Sequence, residues 1–298
     1  MKLKFWGTRG SIPTPGKFTL KYGGNTPCVE LTIENSKLII LDAGTGIRNL
    51  GEHLMLSGDS IRAYVLISHP HWDHIQGFPF FKPAFISGNE LTVVGGEAPS
   101  VSLQKMISDQ MNKVYFPVLL NELKATINFK PVGEEEFEVF GAKVKTIYLN
   151  HPSFAIGYRI THNGKSVVYI SDNEPFDRYI AQSVRNIEQV VIDKYSEYMP
   201  EPNQRIFDFV SGADVLIHDT TYTPEEYLDR VGWGHSHYLF TLKVAAEGKV
   251  KNLILFHYDP SHNDDKIDEI YQKCLNEIKN RKYSFKCYAS YEGMEIDV

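Results

Sequence analysis

The chain has 298 residues, 42 % of them hydrophobic and 23 % charged, and a formal net charge of −6. This is the composition of a globular protein, and its acidic balance argues against a protein whose main task is to grip long nucleic acid through the phosphates. No apolar stretch approaches the ~18 residues of a membrane span and no signal peptide opens the chain, so the sequence reads as cytoplasmic and membrane-free.

Lys2, Leu3, Lys4 and Phe5 begin a strand pattern. Gly7, Thr8, Arg9 and Gly10 then open a Gly-rich stretch that continues to Gly23, Gly24 and Asn25. Glycines there let backbone come close to a ligand, and tight turns account for them equally well. The apolar run 38–41 stops at Asp42, Ala43 and Gly44; Ile47, Leu50, Leu54 and Met55 follow at helical spacing. Residues 63–68 form the next buried strand, which ends in His69-Pro70-His71-Trp72-Asp73-His74. Run 91–94 stops at Gly95. The segment 99–123 is neither ligand-bearing nor a clean strand, and suits a lid, a dimer surface or plain helix packing. Residues 133–136 are a solvated turn. Run 144–149 stops at Asn150 and His151. A hairpin follows, turned by Asn163 and Gly164, and its second strand stops at Ser171 and Asp172. Run 215–217 stops at His218 and Asp219. A helix around 239–246 has Ser236 as a possible N-cap, with His237 exposed or capping. Run 253–256 stops at His257, and Ile267, Ile270, Cys274, Leu275 and Ile278 form a last helical face. No Pro/Gly/Ser-rich linker divides the chain, so residues 1–298 read as one domain. Cys28, Cys274 and Cys287 lack C-x-x-C spacing and read as small core residues in a reducing compartment.

Strand after strand thus ends in a residue able to bind a metal: His69 onward, His151, Asp172 and His257. Several such ends on one sheet edge build one site. Imidazole and carboxylate without thiolate suit zinc, iron or manganese.

The H-x-H-x-D-H run of His69 to His74, with the distant His151, Asp172 and His257, resembles the metallo-β-lactamase fold superfamily of binuclear hydrolases over about residues 5–259. The resemblance implies an α/β fold, a four-layer αββα sandwich of two mixed sheets flanked by helices. It also implies two divalent metal ions, Zn2+ ahead of Mn2+ or Fe. His69, His71 and His151 would bind one, Asp73, His74 and His257 the other, and Asp172 would bridge them. Two cations ~4 Å apart share one water-derived nucleophile and clamp both oxygens of an in-line displacement at phosphorus. His218-Asp219-Thr220-Thr221 and Gly234-His235-Ser236-His237 resemble the H-E-A-T and G-H-S-T segments of the ribonuclease Z-like branch. By that resemblance His235 acts at the scissile phosphate, Asp219 orients it, and Asp73 is a candidate base. Members of the branch are commonly dimers, which implies a homodimer here.

Ribonuclease Z enzymes carry a tRNA-gripping arm, in bacterial forms between the third ligand histidine and the bridging aspartate. Residues 152–171 have room for one hairpin and no arm. The favoured substrate is therefore a small phosphodiester, most specifically a 3′,5′-cyclic nucleotide, as in the anti-Pycsar phosphodiesterases. The alternatives are a ribonuclease Z-like endonuclease and a lactone or other ester hydrolase on the same metals. Tyr115, Phe116, Tyr195, Tyr198 and Trp233 could stack on a base or serve as core, and none is assigned.

Overall fold

The computed structural model describes residues 1–34, 37–98, 100–176 and 203–298. Pro99, Tyr195 and Tyr198 lie outside these. In chain order the described strands are β1 (Lys2–Gly7), β2 (Cys28–Ile33), β3 (Lys37–Leu41), β4 (Arg62–Leu66), β5 (Glu90–Gly95), β6 (Thr126–Pro131), β7 (Glu136–Val139), β8 (Ala142–Tyr148), β9 (Ile156–His162), β10 (Lys165–Ile170), β11 (Val215–Asp219), β12 (Asn252–Phe256), β13 (Lys286–Ala289) and β14 (Glu295–Asp297). The helices are α1 (Gly46–Leu54), α2 (Trp72–Ile75), α3 (Leu103–Asp109), α4 (Gln204–Val210), α5 (Pro224–Leu228), α6 (Tyr238–Glu247) and α7 (Asp264–Arg281).

The strands form two seven-stranded sheets, ordered β14-β1-β2-β3-β4-β5-β6 and β13-β12-β11-β10-β9-β8-β7. In the first, β3 to β6 run parallel and β14, β1 and β2 pair antiparallel. The second has the same plan, with β10 to β13 parallel and β7 to β9 antiparallel. Both sheets are mixed, as the sequence led us to expect.

Runs such as 38–41 are apolar at every position because both faces of the strand are buried. Side chains alternate across a sheet. Leu38 and Ile40 enter the core under α1, whereas Ile39 and Leu41 enter the core between the sheets. In β12, Ile254 and Phe256 face the same inter-sheet core, and Leu253 and Leu255 pack outward with residues of α4, α6 and α7. Three apolar cores therefore separate four layers, helix, sheet, sheet and helix. Each fully buried Leu or Ile contributes about 1.5–3 kcal/mol.

Helix α7, whose apolar face was read from the sequence, has a capped start. The Asn263 side chain accepts the Lys266 N–H at 2.8 Å, and Asp264 and Asp265 occupy the positive first turn. In segment 99–123, Leu103, Ile107 and Met111 pack into the core under the first sheet. Helix packing accounts for them, while Val114 and Tyr115 remain exposed. Strands β6, β7, β13 and β14 were not read from the sequence. Strands β7, β13 and β14 are short, and all four strands close the sheet edges, where charged residues such as the Glu136 and Glu138 of β7 are favoured. No helix among the described residues is long and apolar enough to cross a membrane.

Candidate metal centre

The parallel strands of both sheets deliver their carboxyl ends to one cleft, where ligands of open α/β sheets collect. Strand β4 leads through the buried Ser68 to His69. The single turn of α2 then presents Asp73 and His74 inward, anchored by the buried Ile75, while Trp72 stays 79 % exposed. From the second sheet come His151 after β8, Asp172 after β10 and His257 after β12. All seven residues singled out in the sequence meet here. The potential ligand atoms of His69, His71, His151 and Asp172 lie within 4.8 Å of one another, as do those of Asp73, His74 and His257.

Asp172 stands between the two groups. Its Oδ2 is 3.5 Å from His69 Nε2 and 3.8 Å from His151 Nε2. Its Oδ1 is 3.3 Å from both His74 Nε2 and His257 Nε2. Asp73 Oδ2 is 3.2 Å from His74 Nε2 and 3.1 Å from His257 Nε2, and accepts the Ser11 N–H at 2.7 Å.

The donor set fits divalent cations. Nε2 of His69, His74 and His151 and Oδ1 of Asp172 are buried without a hydrogen-bond partner. A buried polar atom left so costs about 1–3 kcal/mol, and these four converge. The opposite ring nitrogens are engaged from behind, which sets the ring orientation. His74 Nδ1 donates to Asp42 Oδ2 at 2.7 Å, His69 Nδ1 meets Ser68 Oγ at 3.1 Å, His151 Nδ1 meets Ser153 Oγ at 3.1 Å and His257 Nδ1 meets Thr221 Oγ1 at 3.1 Å. Asp42 also accepts from Ser68 N, Ser68 Oγ and the Tyr169 hydroxyl at 2.7, 2.9 and 2.6 Å.

Burial pushes His69 well down and His151 down to about 4, so both rings offer lone pairs. Burial also opposes the charge on His74, but Asp73, Asp172 and Asp42 outweigh it and hold that ring well above its ordinary value. Three carboxylates draw positive charge to this spot, which a cation can supply in the proton's place. Burial likewise opposes ionisation of Asp73 and Asp172, yet the surrounding imidazoles hold both well below the usual carboxylate range.

His235 lies beside the cluster with 11 % of its side chain exposed, its Nδ1 3.4 Å from Asp219 Oδ2 and 3.6 Å from Asp172 Oδ2. Burial disfavours its charge, but Asp172 and Asp219 push it up to about 9. Asp219 is itself held by the N–H groups of Thr221, Ser236 and Asn173 and by the Thr221 hydroxyl. The same geometry groups His235 with Asp172 and His257 as potential ligands, a role the sequence had not suggested. Of the two capping candidates before α6, one takes the role. His237, not Ser236, caps α6 by accepting the Phe240 N–H, because Ser236 is turned inward to donate to the Asn173 carbonyl.

The Gly-rich N-terminal loop lies against the centre. A Cβ on Gly10 would sit 2.3 Å from the His257 ring, so glycine is required for this close approach. Sequence reasoning missed the residues behind the ligands, Asp42, Ser68, Ser153, Tyr169 and Thr221. Asp42 gave the one visible signal, as a carboxylate ending a buried strand.

The family model for the beta-lactamase superfamily domain matches residues 37–200. Ribonuclease Z of Staphylococcus carnosus (strain TM300) is 25 % identical over 317 residues, spanning 96 % of this chain and 97 % of that protein. Among solved structures, the metallo-β-lactamase fold protein YhfI from Bacillus subtilis superposes with a TM-score of 0.66 at 16 % identity, over 99 % of this chain and 98 % of that one. Human tRNase Z, short form, gives 0.64 at 17 % identity, over 100 % and 99 %. At these identities the two structures establish the fold.

Proposed function

The chain belongs to the β-lactamase superfamily and is a metal-dependent hydrolase, and from that premise we propose that it cleaves a small phosphodiester, first of all a 3′,5′-cyclic nucleotide. We assign His69, His71 and His151 to one cation, Asp73, His74 and His257 to a second, and Asp172 to both, with zinc ahead of manganese or iron. The observation that carries this reading is the Asp172 carboxylate, whose two oxygens face different histidine groups.

Bound cations would lower the pKa of water toward ~7 and withdraw charge from phosphoryl oxygens. The chain's own residues supply the rest. Asp73, held ionised by His74 and His257, can accept a proton. With Nδ1 of His235 set toward Asp219 and Asp172, its other ring nitrogen is left for the substrate. An imidazolium there stabilises charge on the phosphoryl oxygens and donates a proton to the leaving oxygen. Asp219 cannot swing away, because four donors hold it, so it offers the ring a fixed carboxylate to orient toward.

A second reading, an RNA endonuclease, draws on the Staphylococcus relative's name. Against it stands the stretch between His151 and Asp172, where β9 and β10 form a hairpin turned at Asn163 and Gly164. A lactone or other ester hydrolase gains nothing from the Asp219 and His235 pair. The three buried free thiols suit the cytoplasm, and we further propose a homodimer, which light scattering in solution tests.

The deciding experiment incubates metal-loaded protein with a panel of cyclic mononucleotides and, in parallel, a pre-tRNA carrying a 3′ trailer. Turnover of a cyclic nucleotide supports the first reading and trailer cleavage at low enzyme the second. Turnover of neither, with metal content intact, sinks both.

A further inference from the structure

Glu174 takes no part in the reaction set out above, yet its carboxylate is buried beside the centre at 3 % exposure. Burying a carboxylate is costly unless donors surround it. Here Oε1 accepts from the Tyr227 hydroxyl at 2.9 Å and the Gly232 N–H at 2.6 Å, and Oε2 accepts from the Gly234 N–H at 3.1 Å. The main chain of Glu174 is tied in another direction. Its N–H donates to the Asn150 carbonyl at 2.8 Å, and Asn150 Nδ2 donates to the Glu174 carbonyl at 3.0 Å. One residue joins the loop ending in His151, the loop leaving Asp172 and the loop leading into His235.

The last of these loops needs such a tie. Gly232 and Gly234 both adopt positive φ, 86° and 91°, and glycine is the residue with most backbone freedom to lose. Trp233 between them is 61 % exposed, so apolar burial contributes little order. His235 follows at once, and its distance to Asp172 depends on where Gly234 is held. From the other side the loop is gripped through the Ser236 N–H, which donates to Asp219 at 2.9 Å.

We propose that Glu174 is a positioning residue for His235: its carboxylate fixes residues 232–234 and thereby sets the imidazole against Asp172. The proposal rests on the phosphodiesterase reading only for its rate measurement. Wild type, E174Q, H235A and the double variant are compared, metal-loaded, on bis(4-nitrophenyl) phosphate, a diester without a nucleobase. E174Q lowers kcat by ~10–100-fold, the scale of a small misplacement. KM stays within about twofold, as for an interaction expressed in the transition state, and metal content is unchanged. In the H235A background the same change costs less than about twofold, because the ring it acts through is gone. In resting protein, hydrogen exchange of residues 229–236 accelerates in E174Q.

Equal losses in both backgrounds, loss of metal or failure to fold would overturn the assignment, since Glu174 would then serve His151 and Asp172 as scaffold. Unchanged exchange would overturn it as well. Were wild type to cleave no diester, the phosphodiesterase reading would be what fails, and the exchange measurement alone would decide the clamp.

Discussion

Two carboxylate–histidine pairs flank the centre, and they are built differently. Asp42 and His74 are fully buried and joined at 2.7 Å, and Asp42 takes three further hydrogen bonds. Asp219 and His235 stand 3.4 Å apart, longer than a good hydrogen bond, and His235 keeps part of its ring open to the cleft. A ring that has only to present a lone pair is locked from behind. A ring that has to meet a substrate is left some slack and an opening, and its order comes from the loop that carries it.

The largest test of this contrast removes what both pairs serve. Stripping the cations with a chelator abolishes turnover and lowers the melting temperature, and readdition restores both, followed by elemental analysis beside the rate assay. Survival of activity at zero metal would leave the pairs without their proposed purpose. Next in size, His235→Ala lowers kcat by ~10²–10⁴-fold, the contribution of a general acid, while metal stoichiometry holds. A drop in bound metal would instead make His235 a ligand, the role its grouping with Asp172 and His257 permits.

Asp42→Asn should give the opposite signature. It weakens metal affinity by ~10–100-fold, as loss of an orienting partner does, and leaves kcat at saturating metal close to wild type. Competition against a chromogenic chelator reads the affinity, and identical behaviour of the D42N and H235A variants would erase the distinction between the pairs. The smallest effect is a control outside both pairs. Asn263→Ala removes the N-cap of α7 and costs about 1 kcal/mol in a denaturant melt, with rate and metal content unmoved.

What was legible in the sequence follows the same division. His69 to His74 occupy one turn, so their chemistry shows in six consecutive letters. Asp172 and His257 stand out because each ends an apolar run buried on both faces. Asp42 has that same placement, but its partners Ser68, His74 and Tyr169 come from the loop after β4, from α2 and from β10, and only packing of the two sheets brings Tyr169 to it. Glu174 was invisible for a related reason. Two of its three side-chain partners are backbone N–H groups more than fifty positions away, and main-chain donors leave no mark on residue identity. At the start of α6 two neighbouring residues were capping candidates, and the role falls to His237 because Ser236, a good capping type, is drawn inward by the Asn173 carbonyl. Charged edge strands such as β7 and β14 were lost because too few residues alternate there for a period to show.

Among the described residues the chain passes from the first sheet to the second once, through the turn at 133–135, before β14 returns to pair with β1. Cutting at that turn would divide the donor set: Asp42, His69, His71, Asp73 and His74 on one fragment, and His151, Asp172, His235 and His257 on the other. Neither piece alone would retain a working complement, and β14 offers a ready seam for rejoining them. A severed version fused to two interacting partners would thus make a catalytic complementation reporter, dark until its halves are brought together.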